Sequence, residues 1–175
     1  EYKNFAKVLE VIPNLNSVRG RMELIDSGDG PAVIVDYAHT PDALEKVLKT
    51  LRLHCKGSLW VVFGCGGDRD IGKRAEMGDI ANSNADRIVV TSDNPRTESP
   101  EKIIQDILTG VGKDVIVEVD RRTAINLAIR DASKDDVILI AGKGHENYQI
   151  LGVERFPFSD QAEARLALRE ALSKD

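Results

Sequence analysis

The sequence is short of the features that mark secreted, membrane-spanning or nucleic-acid-binding chains. It has two cysteines, Cys55 and Cys65, in 175 residues. They lack metal-ligand spacing, so a disulfide scaffold is excluded and a reduced, cytoplasmic setting is the simplest reading. No apolar run reaches the length of a bilayer span, and no basic-then-apolar stretch of the signal-peptide type occurs, so no membrane partner is expected. Positive charge is also lacking. Lys and Arg number 24 against 29 Asp and Glu, a formal net charge of -5, and nucleic-acid binding leaves the opposite footprint. Methionine is absent before Met22, and the chain starts at Glu1; the expectation is a piece of a longer protein. What is present is an ordinary globular composition, 42% hydrophobic and 30% charged, long enough for one domain with a real core.

Tyr2 to Ile12 is a short amphipathic segment ended by Pro13, and a boundary is expected near residue 20. Strands and helices then alternate. Pro31–Tyr37, Ser58–Phe63, Arg87–Thr91, Val115–Val119 and Asp136–Ala141 read as strands, the clearest of them continuously apolar and so buried on both faces. Thr40 with Pro41, Ser99 with Pro100, and Asp120 open helices. Leu44, Val47, Leu48 and Leu51 then fall on one helical face, as do Ile103, Ile104, Ile107 and Leu108. Arg74–Asn82 reads as a further helix, Tyr148–Phe158 as a hairpin broken at Gly152, and Ser159 or Asp160 as the cap of a last helix. The pattern predicts an α/β fold: a Rossmann-like, doubly wound, mostly parallel sheet of about six strands, helices on both faces, and a C-terminal hairpin. Parallel strands place the loops at Asp36–His39, Gly64–Lys73, Ser92–Thr97 and Gly142–Glu146 on one rim, where such sheets bind ligands.

Each loop has chemistry and a plainer alternative. Gly67–Lys73 fits G-x-x-x-x-G-K, but Arg74 stands where a P-loop requires Ser or Thr, and Asp68 and Asp70 would sit against a polyanion. A glycine-rich turn leaves the charge density of Asp68, Arg69, Asp70, Lys73 and Arg74 unexplained. Asp93-Asn94-Pro95 is a turn signal in its own right, whereas Arg96 brings a guanidinium fork suited to carboxylate or phosphate. His145-Glu146 begins a zinc motif that fails at Gln149, so no metal site is expected. Asp36 and His39 are compatible with a metal, a ribose hydroxyl or a helix cap.

Together these loops closely resemble the Mur ligase family. The resemblance rests on Gly20-Arg21-Met22-Glu23, Asp36-Tyr37-Ala38-His39-Thr40-Pro41-Asp42, Gly64-Cys65-Gly66-Gly67-Asp68-Arg69-Asp70, Asp93-Asn94-Pro95-Arg96 and Gly142-Lys143-Gly144-His145-Glu146, spread over residues 20 to 160. It implies that residues 20–175 are a carboxyl-terminal, amino-acid-binding domain and that residues 1–19 close a central ATPase domain. The implied enzyme is bacterial and cytoplasmic, and works in peptidoglycan precursor synthesis. It uses ATP and Mg2+, held mainly by the central domain with its own P-loop and carbamylated lysine. It adds meso-diaminopimelate to UDP-N-acetylmuramoyl-L-Ala-D-Glu through an acyl phosphate. The resemblance assigns Arg69, Asp93, Asn94, Arg96, Gly142 and Glu146 to diaminopimelate, and Arg21, Asp36 and His39 to nucleotide. No catalytic residue is assigned here, the chain alone is expected to be inactive, and Lys73, Arg74, Lys143 and His145 have no assigned role. The alternatives are a ligase of the same superfamily with another acceptor, such as lysine, or a stand-alone amino-acid-binding module.

Overall fold

The computed structural model describes residues 18–28, 30–112 and 114–172, so the segment Tyr2–Ile12 and most of the stretch 1–19 lie outside the described residues. In chain order the elements are β1 (Glu23–Ile25), β2 (Ala32–Asp36), α1 (Pro41–Arg52), β3 (Leu59–Phe63), α2 (Gly72–Asn84), β4 (Arg87–Val90), α3 (Pro100–Leu108), β5 (Ile116–Val117), α4 (Arg121–Asp131), β6 (Val137–Ala141), β7 (Tyr148–Leu151), β8 (Glu154–Pro157) and α5 (Asp160–Leu172). Six strands form one sheet in the order β1-β2-β6-β3-β4-β5, and β7 and β8 form a separate hairpin. The sheet is parallel except that β1 runs antiparallel to β2.

The period-two alternation of β3 explains the layers. Leu59, Val61 and Phe63 enter one core with Leu44, Leu48, Met77, Ile104 and Ile107, from α1, α2 and α3. Trp60 and Val62 enter the other with Ile125, Ala128, Ile129, Ala164 and Leu168, from α4 and α5. Each fully buried Leu or Ile adds about 1.5–3 kcal/mol, so both faces need their helices. Capping follows the predicted residues: the side chains of Thr40, Ser99 and Asp120 accept from the N–H groups of Ala43, Lys102 and Thr123.

Three details differ from expectation. The edge strand β1 is three residues long with little apolar patterning, and it pairs only because Glu23, Leu24 and Ile25 lie opposite Val35, Ile34 and Val33. Helix α2 begins at Gly72 rather than Arg74, with Ile71 at the cap and no side-chain cap bond. Strand β5 shrinks to two residues because only Ile116 and Val117 reach β4.

Strand β6 is inserted between β2 and β3 although it comes last of the three in the chain. The chain after β3 passes to α2 on one face, whereas after β6 it passes through the hairpin to α5 on the other. The connections diverge at the carboxyl ends of β3 and β6, which opens a crevice there.

Candidate functional site

A cavity of about 550 Å³ occupies that crevice. Its lining includes Arg69, Asp93, Asn94, Arg96, Gly142 and Glu146, the six residues expected to hold an amino acid. His39 reaches it too, while Arg21 and Asp36 do not line it.

The loop after β3 and the loop after β4 are stitched into one unit. Gly67 N–H donates to the Asn94 carbonyl (2.9 Å), and Arg96 Nη1 donates to the Gly67 and Asn94 carbonyls (2.8 and 3.3 Å). The Asp68 carboxylate accepts from the Thr97 hydroxyl (2.8 Å) and amide (3.2 Å), and the Asp68 amide donates to Glu98. Beneath them Arg74, its side chain without solvent exposure, donates to Glu98 and Asp106 at 2.8 and 2.9 Å. Glu98 is held well below the usual carboxylate range, at about 2, by the Arg74 guanidinium and then the Asp68 N–H. The charge that spoiled a P-loop reading, Arg74, is therefore the keystone of the loop pair.

Three non-glycine residues occupy the left-handed backbone region: Met22 (φ 44°), Asp68 (φ 53°) and Arg96 (φ 53°). Each is, or adjoins, an arginine expected to meet a ligand. Such conformations cost about 1–3 kcal/mol and persist where surrounding bonds over-determine them. For Arg96 those bonds come from the hairpin: its N–H donates to Ile150, and its carbonyl accepts from Gly152 N–H, at 3.2 and 2.8 Å.

The anionic side is built by Asp93, Glu146 and the glycine loop between them. Asp93 is buried, and its carbonyl accepts from Gln149 Nε2 at 2.7 Å. Gly142 has φ 119°, and a Cβ there would meet Asp93 Oδ2 at 2.6 Å; any side chain would displace that carboxylate. Asn94 Nδ2 donates to Glu146 Oε2 (2.9 Å), while its Oδ1 accepts from Lys143 Nζ and Ile150 N–H (2.8 and 3.0 Å). The Asn94 side chain thus serves mainly to place Glu146. Cys65 also lines the cavity, but burial pushes its thiol up to about 12, so it is no nucleophile near neutrality.

The other expected contacts sit on an adjoining rim. Arg21 lies over the Tyr37 ring at 4.9 Å, and His39 and His145 pack against that ring at 4.5 and 5.2 Å. Asp36 is buried, and its oxygens accept from the Met22 and Ala38 N–H groups, both at 2.8 Å. It fixes the turn that carries Arg21. Among the described residues no group of three or more His, Cys, Asp or Glu is placed to hold a metal ion.

Sequence reasoning gave no structural role to Lys143, Arg74, Arg121 or Gln149. Arg121 is completely buried, paired with Asp160 at 2.8 Å, and donates to the Ala141 and Ser92 carbonyls (2.9 and 3.3 Å). It ties the ends of β6 and β4 together under the cavity. The available signal was charge at strand-end loops and at predicted helix starts, but what each cation meets is remote in the chain.

The fold and rim define an α/β domain with a cavity lined by guanidinium and carboxylate groups. Residues 20–144 match the Mur ligase family's glutamate ligase domain, and the chain belongs to this family. It is 53% identical over 166 residues to the UDP-N-acetylmuramoyl-L-alanyl-D-glutamate–2,6-diaminopimelate ligase of Coxiella burnetii, covering 94% of this chain and 34% of that protein. The enzyme of the same name from Parasynechococcus marenigrum is 55% identical over 172 residues, again covering 94% of this chain and 34% of the relative. A solved structure of a ligase with that name superposes with a TM-score of 0.83 at 46% identity, over 93% of this chain and 34% of the other. The chain thus spans about a third of the length of these relatives.

Proposed function

We propose that this chain is the acceptor-binding domain of an ADP-forming acid–amino-acid ligase that adds meso-diaminopimelate to UDP-N-acetylmuramoyl-L-Ala-D-Glu. In this reading the work is done in the bacterial cytoplasm, on peptidoglycan precursors. The observation that carries it is the bipolar cavity: Arg69 and Arg96 line it together with Asp93 and Glu146. An acid with two carboxylates and two amino groups matches two guanidinium forks and two carboxylates. The shared name of the 53% and 55% identical relatives supports the same acceptor.

ATP fits this chain only at its edge. In the Gly64–Lys73 loop the Gly67 N–H and carbonyl and the Asp68 N–H are committed to the neighbouring loop, and Arg74 is turned inward to Glu98 and Asp106. Arg21 and His39 on the Tyr37 rim are the groups that would meet nucleotide, with Asp36 holding Arg21 in place. ATP, with Mg2+, supplies the phosphoryl group that activates the D-glutamate carboxylate as an acyl phosphate. This chain's residues do the rest of the acceptor's work. Arg69 and Arg96 anchor carboxylates, while Asp93 and Glu146 hold one ammonium, leaving the other amine to attack once it has lost its proton. Fixing that amine converts a bimolecular encounter into an oriented one.

The test is steady-state kinetics of the full-length ligase with meso-diaminopimelate and with lysine. Arg96→Ala should weaken kcat/KM for meso-diaminopimelate by about 2–5 kcal/mol, the loss for removing one partner of a desolvated charge pair. Its effect on lysine, which has no distal carboxylate, should be much smaller. A parent enzyme that prefers lysine by a wide margin would sink the proposal.

A further inference from the structure

The motif leaves Lys143 without a role, yet its side chain has no solvent exposure and its ammonium lies at the centre of the anionic group. Lys143 Nζ donates to Asn94 Oδ1 at 2.8 Å and to the Tyr148 carbonyl at 2.9 Å. The carboxylates of Asp93 and Glu146 stand 3.7 and 3.6 Å away. All four neighbours are acceptors, which suits three ammonium donors and leaves nothing to donate to a neutral amine. Lys143 is absent from the cavity lining, so it does not touch a ligand seated there.

We infer that Lys143 is a positioning residue of the acceptor site: its ammonium, set between Asp93 and Glu146, locks the Asn94 amide so that the group accepts a single ammonium. The inference rests on the proposed function and deepens it. The Lys143 ammonium and the carboxylates of Asp93 and Glu146 together carry one net negative charge, matched by one ligand ammonium; without Lys143 the two carboxylates would lose the cation set between them. The orientation argument is separate. Lys143 and Ile150 N–H both donate to Asn94 Oδ1, so Nδ2 must face Glu146 Oε2. One oxygen of Glu146 is thereby occupied, and its other oxygen remains for the ligand.

The other charges around Lys143 do not replace it. Arg121 and Asp160 lie beneath and neutralise each other at 2.8 Å. Arg69 and Arg96 line the same cavity but are assigned to the ligand's carboxylates. Burial pulls the Lys143 pKa downward, opposed first by Asp93, while Arg121 pushes in the same direction as burial. The carboxylates and the ammonium therefore depend on one another.

The test uses the full-length ligase with meso-diaminopimelate, ATP and the UDP-linked acceptor, over about pH 5.5 to 8.5. Lys143→Gln keeps a donor for Asn94 but removes the charge; Lys143→Arg keeps the charge. In K143R, KM for meso-diaminopimelate should stay within about threefold of the parent's, and in K143Q it should rise about tenfold or more across this range, as expected when one partner of a buried charge group is lost. KM for ATP should stay within about twofold. A KM for meso-diaminopimelate in K143Q equal to the parent's, or equal rises in every KM with a lowered Tm, would overturn the inference. If K143Q does not fold, K143R decides alone: a KM kept near the parent's supports the inference and a rise of about tenfold refutes it. A parent that fails to use meso-diaminopimelate would instead overturn the proposed function, so the two failures are distinct.

Discussion

Arg121 and Asp160 have side chains with no solvent exposure, and both guanidinium-to-carboxylate bonds are 2.8 Å. Burial works against the arginine's charge, and Asp160, with Asp93 and Glu146 behind it, more than offsets that. Removing one partner of such a pair costs about 3–5 kcal/mol because the other is left as a bare buried charge; replacing both with apolar residues is often neutral. Arg121→Met should therefore lower Tm strongly, and Arg121→Met with Asp160→Leu should recover most of the loss. Denaturant midpoints for both variants check this, and a double variant no better than the single would show that the Ala141 and Ser92 carbonyl contacts dominate. The pair was illegible in the sequence for a plain reason. The two residues are 39 positions apart, and each alone looks like a helix-start charge. Arg69 and Arg96 were legible because glycines and turn residues flank them, a local setting that marks a loop at a strand end.

At the scale of elements, the site is a product of loops that brace one another. The loop after β3 and the loop after β4 are joined through Glu98, which accepts from Arg74 and from the Asp68 amide. Its folded pKa of about 2 lies below its ordinary value of 4.5. A depressed carboxylate adds stability that is full above the unfolded value and fades as pH falls toward the folded one. Protection of the Asp68 amide from hydrogen exchange should thus hold down to about pH 4.5 and fall away toward about pH 2. Glu98→Gln should reduce it above about pH 4.5 and erase that acid step; an unchanged acid step in the variant would refute the assignment. Sequence patterning exposed most elements, since continuous apolar strands and capped helices announce themselves over short windows. It did not expose β1, whose three residues become a strand only opposite β2. The hairpin was readable from Gly152, but its use as a clamp on Arg96 and Asn94 was not, because those bonds join residues more than fifty positions apart.

At the scale of the whole molecule, the proposed function separates acceptor binding from phosphoryl transfer. The cavity walls come from the ends of β2, β3, β4 and β6 and from the hairpin, all within one packed unit with two helix-covered core layers. Preorganised loops of this kind do not require a ligand to order them, so on the proposed function an acceptor would meet its partners without nucleotide. The glycine loop, by contrast, does not complete a phosphate-binding motif. The one G-x-x-x-x-G-K match ends at Arg74, and that side chain is turned inward to Glu98 and Asp106. The rim at Tyr37 gathers Arg21, His39 and His145, which on the proposed function would meet a nucleotide as domains close. The 175-residue chain should therefore bind meso-diaminopimelate with one-to-one stoichiometry in a calorimetric titration, with or without ATP. Arg96→Ala should lose that binding, and neither form should release ADP above the blank when the UDP-linked acceptor is added. ADP formation by this chain alone, dependent on meso-diaminopimelate, would show that the phosphate site lies within these residues after all.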